Sequence, residues 1–349
     1  MPQGAPGLKH GLMKNRYWRI DRRPEGTDFA SALALVEEAL PEPAEGQIVI
    51  RNTMLSMDAG TRMWLTDRRD GYQPPLEVST PMIGLVIGEV VQSRSPDFPE
   101  GTLVRAFGQW GDYSVVDAVM SGAIALDPAV ADRRAWFGPL GMNGWTALWG
   151  IEQTGAAKPG ERVLVSAAAG ATGILAVQIA KLLGCEAWGI AGGEAKCAYL
   201  TEQLGIAGAI DYKAGNVAAQ LDAACAGGAG FDVYFDNVGG PLLDEVLTRM
   251  NHYGRIAVCG LLADYTGGSR TAPREFDQVL MRRLRIEGFF SPDFMHEGAA
   301  LTERLKAWHE AGALVMPYDA TQGLENTLSA YAKLFTGGNI GKVIVELET

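Results

Sequence analysis

The residue types and spacings with the most chemical consequence gather in one short stretch, VLVSAAAGATGILAVQIAKLLG, residues 163–184. A β-type apolar run leads into the pattern A-x-G-x-x-G, with Ala168 first and Gly170 and Gly173 after it, and helix formers then run from near Thr172 to Gly184. A turn without bulk lets a ligand touch the backbone. The helix it opens, through Ala171 and Thr172, aims free N–H groups and a positive dipole end at that ligand, which is the chemistry of pyrophosphate binding. A tight strand-to-helix turn also needs small residues; the alternating strands and helices that follow favour a dinucleotide.

A dinucleotide with a free ribose is usually held by an acid about 20 residues past such a loop. Here the second strand ends in Ile190, Ala191, Gly192 and Gly193, and Glu194 and Lys196 come only afterwards. Without an acid at the strand end, nothing there repels a 2′-phosphate. Lys196 adds a charge-assisted hydrogen bond of about 1.5–3 kcal/mol, roughly ten- to a hundredfold in affinity. The expected cofactor is NADP(H), with Glu194 the residue that opposes it.

Metal and disulfide chemistry is not expected. Cys185, Cys197, Cys225 and Cys259 form no CxxC pair and read as small buried apolar residues. His10, His252, His296 and His309 fall outside any ligand cluster, with His252 and His309 placed at helix ends or on the surface. Asp58 and Arg62, four apart after a strand, read as a structural ion pair or a helix start.

These groups must be carried by a chain of 349 residues, long enough for two domains. Thirty basic and 41 acidic residues give a net charge of −11, and no Lys/Arg tract is present, which argues against a nucleic-acid partner. The sequence has no run of about 18 apolar residues and no apolar signal centre near its start, so neither a membrane partner nor export is expected and the location reads as cytoplasmic. From residue 163 to 291 six β-rich runs alternate with helical stretches: RVLVSA, EAWGIA, GAIDY, FDVYFDNVG, GRIAVCG and RIEGFFS. The fold class is therefore α/β, a doubly wound parallel sheet. Before it, QIVIRNTML, VIGEVV, TLVRAFG and DYSVVD are divided by Gly and Pro and suggest a β-rich domain, to which the final GKVIVELE could return.

The segments KNRYW, RPEG, LSMDAGTRMWL, FGQWGDYSV, LGMNGWTAL, SAAAGATG, GIAGGEAK, DYK, DNVGG, CGLLADY, EGFF and GNIGKVIVE, in this order, resemble the zinc-independent branch of the medium-chain dehydrogenase/reductases that holds leukotriene B4 dehydrogenase, the prostaglandin reductases and the alkenal double-bond reductases. The resemblance implies a GroES-like domain over residues 1–128, completed by 317–349, a Rossmann domain over 129–316, and a homodimer. It also implies that Lys196 binds the cofactor phosphate, that Tyr212 contacts the cofactor and Gly192 belongs to its site, that Asn237 lies on the nicotinamide side, and that Asn339 reaches the cofactor. Tyr265 matches the tyrosine near the nicotinamide ribose and the substrate oxygen. Two departures stand out: Ala59 and Gly60 replace a Pro-Tyr pair, and Ala263 and Thr266 replace Ser and Asn, so the pocket is not expected to be the eicosanoid one.

Reducing a C=C bond conjugated to a carbonyl places hydride on Cβ and negative charge on the carbonyl oxygen. In the absence of a metal a hydrogen-bond donor must stabilise that enolate. A phenol, neutral at pH 7 with a reference pKa near 10, can do so, and one such donor is worth about 2.7–4 kcal/mol. Tyr265 is the expected donor, and Trp110, Tyr113, Met142, Asn143 and Phe290 are expected around the enal or enone. Two other readings stay open: a carbonyl/alcohol or quinone oxidoreductase, and a non-catalytic NADPH-binding protein.

Overall fold

The computed structural model describes residues 13–71, 73–267 and 273–348. The chain opens with a two-stranded antiparallel ribbon, β1 (Lys14–Ile20) and β2 (Leu33–Ala39), in register from Lys14 opposite Ala39 to Ile20 opposite Leu33. The sequence reading did not anticipate this ribbon, because Arg16 and Arg19 interrupt its apolar residues. Next come β3 (Gln47–Ser56), β4 (Ile83–Ser93), β5 (Leu103–Gln109), β6 (Tyr113–Asp117) and β7 (Ile124–Ala125).

The parallel sheet follows: β8 (Arg162–Val165), β9 (Glu186–Ala191), β10 (Gly208–Asp211), β11 (Phe231–Asp236), β12 (Met250–Val258) and β13 (Arg285–Gly288). Its spatial order is β10-β9-β8-β11-β12-β13. The winding direction reverses between β8 and β11, so a crevice opens at their carboxyl ends, where open α/β sheets bind ligands. Val163, Leu164 and Val165 of β8 are all fully buried. Val163 and Val165 pack on one face of the sheet and Leu164 on the other, which is why these three positions form an unbroken apolar run rather than an alternating one.

Two last strands, β14 (Tyr318–Gln322) and β15 (Lys342–Glu346), return to the β-rich domain and extend its seven-stranded sheet in the order β14-β15-β3-β4-β5-β7, with β6 also on β3. This return decides the fate of Asp58 and Arg62, which do not pair. Lys342, fully buried, brings its ammonium to 2.5 Å from Asp58 and 2.9 Å from the Met57 carbonyl. Arg62 instead donates to the carbonyls of Pro24, Gly26 and Leu65. A partner from 284 residues away wins over the one four residues on. The helix start is met, since Ala59–Leu65 forms a short 3₁₀ helix behind Asp58. Among the cysteines Cys185 is buried, while Cys197, Cys225 and Cys259 are half-buried and pack against the cores.

Candidate cofactor and active site

The small-residue turn lies at the carboxyl end of β8. Ala168 is fully buried and its N–H bonds the Ile190 carbonyl at 3.0 Å, tying the turn to β9. Helix α1 (Met142–Trp149) begins beside it, and helix α2 (Ala171–Leu182) rises from it with Gly170 at its N-cap. A Cβ on Gly173 would sit 2.2 Å from the Ala167 carbonyl oxygen, so glycine is what lets α2 pack on the end of β8. Gly170, Ala171 and Thr172 are half-buried and remain reachable. Thr172 accepts a bond at 3.0 Å from the Asn143 amide, which joins the starts of α1 and α2.

The C-terminal return closes on the same turn. Gly341 N–H bonds the Ala169 carbonyl at 2.8 Å, and the buried Asn339 amide bonds the Gly341 carbonyl at 2.9 Å. Asn339, two residues before Gly341, is thereby held close to the glycine turn by the segment that leads into β15 of the β-rich domain.

At the ends of β9 and β10 the structure assembles a group of donors. The point where a Gly337 side chain would begin lies 3.4 Å from Lys213 Nζ, 3.6 Å from Tyr212 Oη and 3.8 Å from Lys196 Nζ. Gly337 has a φ of +68°, in the left-handed region that suits glycine. A Cβ on Gly192 would meet the Tyr212 ring at 2.6 Å, so the bare backbone there lets the phenol lie flat across it. Burial, and secondarily the charge of Lys213, lowers the Lys196 pKa. Asp211 ties the loops together: its carboxylate accepts from Gly193 N–H at 2.7 Å and from Lys213 N–H at 2.8 Å, bonds that hold its pKa below the usual carboxylate value.

Sequence reasoning missed Lys213 and Asp211. The signal was present in Lys213 following Tyr212 directly, but its use depends on β9 and β10 being neighbours, with Ala191 opposite Asp211.

Asn237 sits just past β11, its N–H on Ser166 Oγ at 2.8 Å and its amide on the Ser166 carbonyl at 2.6 Å. Tyr265 ends the short helix Leu262–Tyr265, which packs against the 3₁₀ helix Ala59–Leu65 of the β-rich domain, and its hydroxyl accepts the Leu261 N–H at 3.2 Å. The accepted bond uses a lone pair, not the hydroxyl proton.

The expected substrate residues divide. Met142 and Asn143 open α1 beside the glycine turn, and Phe290 follows β13 at the carboxyl edge of the sheet. Trp110 and Tyr113 belong to the β-rich domain. Trp110 is fully buried in the β-rich core, edge-on to Tyr331 at 5.0 Å and against Gly84, because this aromatic fills its own domain. Tyr113 pairs with Arg51, five residues before Ser56 on β3.

Residues 16–124 match the family described as the N-terminal domain of oxidoreductase, and residues 171–307 match that described as zinc-binding dehydrogenase. The chain is 34% identical over 343 residues to the NADPH-dependent curcumin reductase of Escherichia coli (strain K12), covering 96% of this chain and 97% of that protein. It is 33% identical over 339 residues to the NADP(+)-dependent 2-alkenal reductase of Nicotiana tabacum, covering 97% and 96% of the two chains. The chain belongs to the medium-chain dehydrogenase/reductase family. Within that family it falls in the branch of the curcumin, alkenal and prostaglandin reductases. Its fold matches the crystal structure of CurA from Vibrio vulnificus with a TM-score of 0.89 at 32% identity, covering 96% of this chain and 99% of that one; CurA has also been solved in complex with NADPH. Zinc, which the second family description names, does not fit the side chains present: among the described residues no group of three or more His, Cys, Asp or Glu could hold a metal ion.

Proposed function

We propose that this protein is an NADPH-dependent reductase of the C=C bond of α,β-unsaturated aldehydes or ketones. The observation that carries the reading is the order of groups along one sheet edge: two ammoniums and a phenol around a bare glycine, then a small-residue turn at a helix N-terminus, then the Tyr265 hydroxyl. Lys196, Lys213 and Tyr212 would hold the 2′-phosphate, Gly170 to Gly173 the pyrophosphate, and Asn237 and Asn339 the nicotinamide side. Bound NADPH supplies the hydride. Tyr265 donates to the carbonyl oxygen as charge develops there, an interaction stronger in the transition state than in the ground state and so effective in lowering the barrier. The kinship with curcumin and alkenal reductases supports this reaction over others.

Incubation with NADPH and trans-2-nonenal tests it. The saturated aldehyde is expected. The allylic alcohol would point to a carbonyl reductase, and loss of no NADPH across enals, enones and quinones would point to a binding protein.

We also infer a homodimer. Among the described residues the edge strand β13 has no partner on its outer side, and Phe276, Leu280 and Met281 just before it are 60%, 74% and 57% exposed, a concentration of apolar surface that edge-to-edge pairing would cover.

A further inference from the structure

Asp236 is fully buried at the end of β11, yet only one of its carboxylate oxygens is used. Oδ1 accepts from Tyr234 Oη, Val238 N–H and Gly239 N–H, each at 2.9 Å, and from Ser166 Oγ at 3.1 Å. Oδ2 has no partner. Burial raises the Asp236 pKa against these bonds. A buried acid left half-partnered is expensive for the fold, so its retention calls for another reason. Its contacts supply one.

The same Ser166 hydroxyl that donates to Asp236 accepts the Asn237 N–H, so the carboxylate fixes Asn237 through one intermediary. Its bonds to Val238 and Gly239 fix the turn that follows, in which Gly239 has a φ of +67°. Onto the carbonyls of this segment dock four N–H groups of the stretch that leads to Tyr265. Cys259 and Gly260 bond Asp236 O at 2.8 and 3.1 Å, Leu262 bonds Asn237 O at 3.1 Å, and Ala263 bonds Val238 O at 3.1 Å. Through these bonds the turn set by Asp236 fixes where the Tyr265 helix sits.

We propose that Asp236 is a positioning residue for the reduction: it sets Asn237 on one side and the Tyr265 helix on the other, so that the nicotinamide side and the enolate donor are held at a fixed separation. The proposal rests on the role given to Tyr265 above. Misplacement of a donor by even an ångström is felt in the rate rather than in ground-state binding.

The test is a double-mutant cycle between Asp236→Asn and Tyr265→Phe, with Ser166→Ala as a second route into the same network. Asn retains the Oδ1 acceptor but removes the charge. The expected result is a fall in kcat of about tenfold or more for Asp236→Asn and a smaller fall for Ser166→Ala, with NADPH Kd within about threefold of the parent. The isotope effect from C4-deuterated NADPH should rise in both. In the Tyr265→Phe background, Asp236→Asn should cost clearly less than in the parent, because the donor it positions is already gone and only its hold on Asn237 remains. Full additivity of the two losses overturns the positioning role, as does a kcat loss matched by an equal loss of NADPH affinity. Should Asp236→Asn not fold, Ser166→Ala carries the test: parental kcat and isotope effect there overturn the proposal. A Tyr265→Phe single variant with unchanged turnover sinks the Tyr265 reading instead, so the two failures are distinguishable.

Discussion

Lys196 and Lys213 bring their ammonium groups to 3.8 and 3.4 Å from one point above the bare Cα of Gly337, with the Tyr212 hydroxyl 3.6 Å from it. Two like charges sharing one place are repulsive until an anion joins them, which is one reason the Lys196 pKa is depressed. Replacing either lysine by alanine should weaken NADPH binding about ten- to a hundredfold, the worth of one charge-assisted bond, and leave NADH binding nearly unchanged. Fluorescence titration with both cofactors checks this; equal losses for the two would remove the 2′-phosphate from the argument.

The same depression has a pH consequence. Lys196 is charged below its lowered folded-state pKa and neutral above it, and only the charged form attracts phosphate. NADPH affinity should therefore decline on the alkaline side at a lower pH than an ordinary lysine, with its value of 10.5, would allow. Lys213→Met removes one of the two lowering causes and should move that decline upward. Since the unfolded chain holds the proton more tightly than the fold, the ligand-free protein should also gain stability as pH rises from the lowered value towards 10.5. Kd and melting measured against pH report both effects, and an alkaline decline at the same pH in parent and variant would contradict the coupling.

Gly173→Ala puts a methyl group 2.2 Å from the Ala167 carbonyl oxygen, a backbone atom that cannot swing aside. Helix α2 must shift, at a cost of about 1–3 kcal/mol, and the turn that opens it shifts too. A lower melting temperature together with weaker NADPH binding is expected. A variant that melts and binds like the parent would show that the turn tolerates bulk.

Much of this was legible in the sequence, and the exceptions share a cause. The six strands of the parallel sheet announce themselves as short β-rich runs that alternate with helical stretches and are punctuated by glycine; Lys196 follows from its distance past the turn. What local pattern cannot supply is which distant segments become neighbours. Asp58 takes Lys342 rather than Arg62 because β15 lies beside β3. Asp211 and Lys213 acquire their role only when β10 lies beside β9. Trp110 illustrates a further limit: residue type does not distinguish an aromatic that fills a domain core from one that lines a slot.

If β13 is the edge across which two copies join, Leu280→Glu or Met281→Glu buries a charge in the shared surface. Light scattering should then report half the parental mass. A parental mass that is already one chain, or one that does not change in either variant, would contradict the homodimer.

The proposed reaction is defined by which bond receives the hydride. Reaction of an enone with NADPH deuterated at both C4 positions, followed by NMR of the product, answers this directly. Deuterium at Cβ of a saturated ketone is the expected result, with the rate falling by about a hundredfold or more in Tyr265→Phe, as for loss of one oxyanion donor. Deuterium on the carbinol carbon of an allylic alcohol would contradict it.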